Sequence, residues 1–321
     1  MMQDKQDLRS ELIHILCDGQ FHSGEALARR FSVSRTAIAK HVSALIQLGL
    51  DIYSVKGKGY ALSDPIVLLE SSVIKDFLPA DIDVPITLLP VTDSTNTFLK
   101  ERIDRAVHGE VVIAEAQTAG RGRRGKSWVS PFGASLYLSM CWRFQGGYQQ
   151  IGGLSLYVGY CVIQALQAFG IDGLGVKWPN DIYRYGEKLG GILVEVEGQI
   201  GTEVSCIIGI GINVRLPDVG DSITQAYTDL SDTHIDRNAL SAAIIEFLHQ
   251  GIPGFEIRGL QDIVANWNAL DVLAKQSVTI LGSESQIEGV NLGINDAGAL
   301  QLQTPEGLKL IHGGEVSLRA R

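Results

Sequence analysis

The run Gly120-Arg-Gly-Arg-Arg-Gly125 is followed closely by Pro131 and Gly133, and that succession restricts the fold more than any other feature. Its spelling fits G-x-G-x-x-G, which in dinucleotide-binding folds leads straight into a helix whose N-terminus holds a pyrophosphate. Pro131 and Gly133 break a helix, and the residues after them, "ASLYLSM", alternate as a strand does. The doubly wound nucleotide fold is therefore rejected. "GRRGKS" lacks the G-x-x-x-x-G-K-[ST] spacing of a phosphate loop. An Arg-Gly element for nucleic acid would be repeated or interleaved with aromatic residues, and one copy stands here. What remains is a loop that orders over an anionic ligand. Glycine supplies the freedom, and arginine supplies planar forks for phosphate or carboxylate oxygens. Without ligand, like charges repel, and disorder is expected.

The rest of the chain has ordinary globular composition. It has 321 residues, 45% hydrophobic and 20% charged, enough for two or three domains. A formal net charge of −9 argues against nucleic-acid binding over the whole surface, not against a local basic element. Cys17, Cys141, Cys161 and Cys206 are scattered without a C-x-x-C pair, so inert thiols are expected. The charged start "MMQDKQDLRS" has no apolar signal-peptide core. The apolar runs contain glycine and are too short for a bilayer, so a cytoplasmic protein without a membrane partner is expected.

The first sixty residues predict a winged helix-turn-helix. Leu8, Leu12, Ile13, Ile15 and Leu16 recur at helical spacing. Ser23 and Ser34 are N-cap candidates for a second and a third helix, separated by a turn at Ser32–Val33. Ile38, Val42 and Leu45 form the inner stripe of the third helix. Two short strands around Gly57-Lys58-Gly59 make a basic-tipped hairpin. The DNA contacts expected are Ser34, Arg35, Thr36 and Lys40 on the recognition helix and Lys56 and Lys58 on the wing. One such unit covers one half-site, so specific binding calls for a dimer. A helical interaction domain with a solvated basic face is the competing reading.

Pro65 marks the linker to a larger second domain. From about residue 85, strands and helices intermix without regular βαβ spacing. They include a long apolar helix in "IGGLSLYVGYCVIQALQAFG" and a strand in "VSCIIGIGINV". The fold class is α+β multidomain with a central mixed sheet. Residues 239–268 are helical in pattern, and from Asp271 short strands split by Gly, Asn and Asp predict a small β-barrel. The domains are placed at 1–64, 65–270 and 271–321.

"DSTN" (Asp93–Asn96), "EAQTAGRGRRGKSW" (Glu115–Trp128), "KWPND" (Lys177–Asp181), "KLGGILVE" (Lys188–Glu195) and "GIGINV" (Gly209–Val214) occur in that order. Together with the winged helix they closely resemble the biotin protein ligase family, in its bifunctional ligase and repressor form, over essentially the whole chain. The resemblance implies a class II synthetase-like catalytic domain and an SH3-like C-terminal domain. It implies a two-step reaction. Biotin and Mg2+·ATP give biotinyl-5′-AMP, and a lysine of the biotin carboxyl carrier protein of acetyl-CoA carboxylase then takes the biotinyl group. It further implies that the adenylate-bound protein forms a homodimer on the operator DNA of the biotin operon.

The implied biotin site comprises Ser94, Thr95, Asn96, Gln117, Arg121, Gly122, Arg123 and Lys188, with Lys188 and Arg121 as catalytic residues. The implied adenylate and ATP site comprises Gly120, Arg123, Asn180, Asp181, Gly209, Asn213 and Arg319. Gly190 and Gly191 would let the ligand lie against strand backbone. No metal ligand is assigned. Arg123–Arg124 and the segment around Gly198–Thr202 would belong to the dimer surface. One stretch departs from the pattern. The loop after Asn213 looks one residue shorter than in repressor-type relatives, and Tyr227 stands nearest to their adenine-stacking tryptophan. A ligase with a vestigial DNA module, a non-catalytic biotin sensor and a lipoate ligase remain as alternatives.

Overall fold

The computed structural model describes the chain except residues 1, 199–202, 218, 283–285, 314–316 and 321. The N-terminal unit comprises α1 (Met2–Leu16), α2 (Gly24–Arg30), α3 (Arg35–Gln47), β1 (Ile52–Val55) and β2 (Gly59–Leu62). Ser23 Oγ accepts from Ala26 N at 3.0 Å and Ser34 Oγ from Ala37 N at 3.1 Å. Each bond satisfies an amide that the first helical turn leaves without a partner. Leu12, Leu16, Leu27, Ile38, Val42, Leu45 and Leu62 are buried together. β1 and β2 pair antiparallel, Ile52 opposite Leu62. Gly59 has φ +115, and a Cβ there would lie 2.0 Å from His22 O, so this position admits only glycine.

This core is completed by the next domain. Ala116 and Phe132 belong to the same cluster, and Phe132 N donates to Leu48 O at 2.9 Å. A linker with α4 (Ser71–Phe77) follows the wing. It is clipped at Leu69, whose amide donates to Glu115 Oε1 at 2.7 Å, and at Val67, whose carbonyl accepts from Arg237 Nη2 at 2.8 Å. Arg237 and Glu115 themselves form a buried ion pair at 2.7 Å.

The central unit is β3 (Ile86–Leu89), α5 (Thr95–Lys100), β4 (Val111–Ala114), β5 (Ser135–Phe144), α6 (Leu154–Ala168), β6 (Leu174–Lys177), β7 (Asp181–Arg184), β8 (Glu187–Gly198), β9 (Val204–Asn213), α7 (Arg237–Arg258) and α8 (Val264–Leu270). Its seven-stranded sheet runs β3-β4-β5-β9-β8-β7-β6. β3 and β4 are parallel and the other neighbours antiparallel, the mixed sheet expected. The pleat divides its residues between two faces. Leu136, Leu138, Met140 and Phe144 of β5 and Ile208, Ile210 and Ile212 of β9 share the main core with the apolar α6 and with α7. The intervening residues of β5, β9 and β8 turn to the opposite face, which α5 covers only in part. All four cysteines are buried and free.

The C-terminal strands are β10 (Ser277–Leu281), β11 (Gln286–Ile294), β12 (Leu300–Thr304), β13 (Gly307–Ile311) and β14 (Ser317–Ala320), in an antiparallel sheet of order β13-β12-β11-β10-β14. Among the described residues β13 and β14 are the two edge strands of this sheet. Trp178 Nε1 donates to Gly298 O at 3.2 Å and Val272 N to Val176 O at 3.0 Å, which seats this sheet beside β6. Among the described residues no helix is long and apolar enough to cross a membrane.

Candidate active site

The partly covered face of the central sheet carries a cleft of about 930 Å³. Its floor is strand backbone at Gly191, Gly209 and Gly211, and Asn213 also lines it. Asn96 explains why Gly209 is glycine, because a Cβ there would stand 2.3 Å from Asn96 Oδ1. Gly211 likewise lies under Trp128, with 2.7 Å left between a Cβ and the indole.

At one end a polar net is assembled from α5, β5 and the segment after β4. Gln117 Oε1 accepts from Thr95 N at 2.9 Å, and Gln117 Nε2 donates to Ser130 Oγ at 3.0 Å. Ser139 Oγ donates to Asn96 Oδ1 at 2.6 Å, and Asn96 Nδ2 donates to Glu195 Oε2 at 2.9 Å. Ser94 occupies the N-cap position of α5 without a capping bond from its side chain. Ser94, Thr95 and Asn96 are buried, yet all three line the cleft with Gln117. A site of this kind suits a compact polar ring, since the side chains of Thr95, Asn96 and Gln117 are each held by a protein partner and still face the cavity.

Next to this net stands a concentration of cations. Among the described residues, Arg121, Arg123, Arg124, Lys126, Lys177, Lys188 and Arg319 line the cleft, with a single carboxylate, Asp181. Lys188 Nζ is 2.6 Å from Asp181 Oδ1 and 5.5 Å from the centre of the Trp128 ring. Arg121 pairs with Glu195, and Arg123 Nη1 donates to Asn180 Oδ1 at 3.3 Å. Burial holds the Arg123 guanidinium below its ordinary range, against the opposing charge of Asp181. Burial also lowers Lys177, with Asp181 opposing and Arg319 adding to the effect. Partly desolvated cations bind anions more strongly than hydrated ones. The indole N–H of Trp128 is buried without a hydrogen-bond partner, a donor suited to a ligand acceptor.

The Gly-Arg loop is folded rather than disordered. Gly122 N donates to Lys126 O at 2.7 Å and Trp128 N to Gly120 O at 2.8 Å, around a 3-10 turn at Arg123–Gly125. Arg124, at φ 56, donates to Leu281 O at 3.4 Å, so the like charges are spread over separate partners.

Of the expected site residues, Ser94, Thr95, Asn96, Gln117, Arg121, Gly122, Arg123, Asn180, Asp181, Lys188, Gly209, Asn213 and Arg319 meet at this one cleft, as does Tyr227. Gly120 does not line it. A Cβ there would lie 2.5 Å from Trp128 O, so this glycine serves the closure of the loop. Gly190 points away from the cleft, its missing Cβ facing Ile212 and Gly211 O. Trp128, Tyr137, Lys177, Trp178, Tyr183, Leu193 and Gly211 line the cleft without having been assigned a role from the sequence. Gly211 was within reach, because strand residues two apart share a face with Gly209. Ser34, Arg35, Thr36, Lys40, Lys56 and Lys58 are all exposed, the first three at the start of α3, Lys40 within it, and the last two on the turn between β1 and β2. Of the expected dimer surface, residues 199–202 lie outside the described residues.

Comparison with known proteins agrees with this geometry. The model of the biotin/lipoate A/B protein ligase family matches residues 88–213. An HTH domain model matches residues 9–61, and the biotin protein ligase C terminal domain model matches residues 276–319. The bifunctional ligase/repressor BirA of Salmonella typhimurium is 43% identical over 96% of this chain and 97% of its own length. That of Escherichia coli K12 is 42% identical over 97% of each. The structure of biotin protein ligase from Aquifex aeolicus in complex with biotin and ATP superposes with TM-score 0.65 at 28% identity. It covers 74% of this chain and 99% of that one.

Proposed function

The chain belongs to the biotin protein ligase family, in its bifunctional ligase/repressor form, and on that footing we propose that it makes biotinyl-5′-AMP, biotinylates a carrier protein and represses transcription. In the first step a biotin carboxylate oxygen attacks the α-phosphorus of ATP. A C–O–P bond forms, the α–β bridge breaks, and pyrophosphate leaves. In the second step the neutral ε-amine of the carrier lysine attacks the acyl carbon, and AMP departs as the amide forms.

The observation that carries this reading is the juxtaposition of the Ser94–Asn96–Gln117 net with the cation cluster around Asp181. The net receives the ureido ring through Ser94, Thr95, Asn96 and Gln117. Arg121, Gly122 and Arg123 hold the carboxylate and then the phosphate. Lys188, released from Asp181, meets the oxygen between acyl and phosphate, where negative charge grows in the transition state. The mixed anhydride is already activated, so positioning and charge stabilisation suffice and no covalent nucleophile is required. Asn180, Asn213, Arg319 and Tyr227 take the nucleotide, with the Tyr227 ring stacked on adenine. Gly120 supports the loop.

Among the described residues no group of three acidic, His or Cys side chains could hold a metal by itself. Mg2+ bound mainly by phosphates and water needs only one or two carboxylates, and Asp181 fits that part. The ion would shield the triphosphate charge. The domain limits proposed are 1–64, 65–270 and 271–321. The adenylate-bound form is a homodimer on operator DNA, with Arg123–Arg124 near the contact.

The test uses a biotin carboxyl carrier domain and an operator fragment. Label transfer to one carrier lysine, dependent on ATP, is expected, with a footprint that tightens when biotin and ATP are added. Labelling with a ligand-independent or absent footprint would leave a plain ligase. A footprint without labelling would leave a biotin sensor.

A further inference from the structure

Arg184, at the end of β7, is a buried arginine outside the cleft. Its guanidinium makes a two-bond fork to Asp232, Nη1 to Oδ1 at 2.6 Å and Nη2 to Oδ2 at 2.9 Å. Nη1 also donates to Asp229 O at 3.2 Å and Nε to Asp172 O at 3.4 Å. The Tyr185 ring lies beside it, 5.0 Å from Cζ to ring centre.

Two of these partners, Asp229 and Asp232, follow directly on the segment that carries Tyr227 into the cleft. That segment is docked on β8 as a short parallel bridge. Lys188 N donates to Ala226 O at 3.3 Å and Thr228 N donates to Lys188 O at 3.0 Å. Asn213 Nδ2 donates to Thr228 O at 3.0 Å from the other side. Asp229 itself caps Ser231 N at 3.0 Å and accepts from Leu216 N at 2.9 Å. Tyr227 and the backbone of Lys188 are therefore set by one register, and that register is secured just downstream by Arg184.

We propose that Arg184 is a positioning residue for the nucleotide half of the site. Its fork to Asp232 holds residues 226–228 against β8, so that Tyr227 and Lys188 face the nucleotide together. This rests on the ligase reading for the ligand and on the hydrogen bonds alone for the clamp. Lysine cannot replace it, because one ammonium cannot bridge both Asp232 oxygens and two carbonyls. Among the described residues, no hydrogen bond joins Arg184, Asp229 or Asp232 to Ser94, Thr95, Asn96 or Gln117, the side chains of the biotin net.

The variants are Asp232→Asn, which leaves both carbonyl bonds to Arg184 in place, and Arg184→Lys. Full-length protein is followed by hydrogen exchange at the Lys188 and Thr228 amides and by steady-state adenylation. Faster exchange at those two amides is expected. The KM for ATP should rise roughly tenfold, about 1.4 kcal/mol, and the KM for biotin should stay within about twofold. Unchanged exchange in both variants overturns the clamp. Faster exchange with an unaltered ATP KM, or with biotin and ATP KM raised alike, overturns the positioning role. Faster exchange in a protein whose parent forms no adenylate supports the clamp and sinks the ligase reading instead.

Discussion

A methyl group placed at position 209 separates the biotin net from the rest of the site. Gly209 sits on β9, and its φ is not positive, so alanine is conformationally acceptable and the perturbation is steric. The new Cβ would stand 2.3 Å from Asn96 Oδ1 and 3.0 Å from Asn96 Cγ and Nδ2. Ordinary van der Waals separation begins near 3.4 Å, so Asn96 must retreat by about an ångström. It cannot do so freely. It is tied to Ser139 Oγ at 2.6 Å, Glu195 Oε2 at 2.9 Å and Leu193 O at 3.2 Å. Overpacking of this kind costs about 1–3 kcal/mol. Expressed in binding, that is roughly a fivefold to 150-fold rise in the biotin Kd for Gly209→Ala. Titration calorimetry with biotin alone measures it, and a thermal melt on the same sample reports the part that appears as lost stability. A biotin Kd within about twofold of the parent, with the melt displaced, would show that Asn96 is crowded without touching biotin. The assignment of the net to the ureido ring would then fall.

Arg123→Gly should let the adenylate escape before transfer, so that added bystander proteins become biotinylated on many lysines. Labelling confined to the carrier would refute the loop's role. Glu115→Gln removes half of the buried pair with Arg237, and truncating such a pair costs about 3–5 kcal/mol. A clear fall in melting temperature is expected, and an unchanged melt would refute the clip on the linker. Burial lowers the pKa of both His108 and His249, which flank Trp142. Their contribution is fully present above the ordinary value of 6.5 and is lost as pH falls below it, because the unfolded chain binds those protons more readily. Urea midpoints should therefore drop from pH 7 to 5, and less steeply in His249→Phe. Lys40→Ala should weaken DNA binding across sequences and reduce the salt slope by about 1 for each copy bound, if Lys40 meets a phosphate. An unchanged slope would remove Lys40 from the interface.

What could be read from the amino-acid order alone was whatever depends on neighbours within a turn or two. Ser23 and Ser34 cap their helices as their spacing requires, and Ile38, Val42 and Leu45 face inward because a helix repeats every 3.6 residues. Pro131 and Gly133 ruled out a helix after the arginines, and β5 begins at Ser135. The site residues came forward through the family resemblance that the ordered motifs carry, and most of them line one cleft.

Tertiary structure decided the pairings between distant positions. Glu195 holds Arg121 and Asn96 together, and Arg237 reaches back to Glu115 and Val67. Gly120 and Gly209 look alike in the chain, yet one closes a loop against Trp128 and the other makes room for Asn96. The loop predicted to be disordered is folded because its arginines find partners on β8, beside Asn180 and in the C-terminal sheet. Local propensity and periodicity act over a few residues. Whether a charge is paired, and by what, depends on which segments the sheet order β3-β4-β5-β9-β8-β7-β6 lays side by side, and no short-range rule in the chain encodes that order.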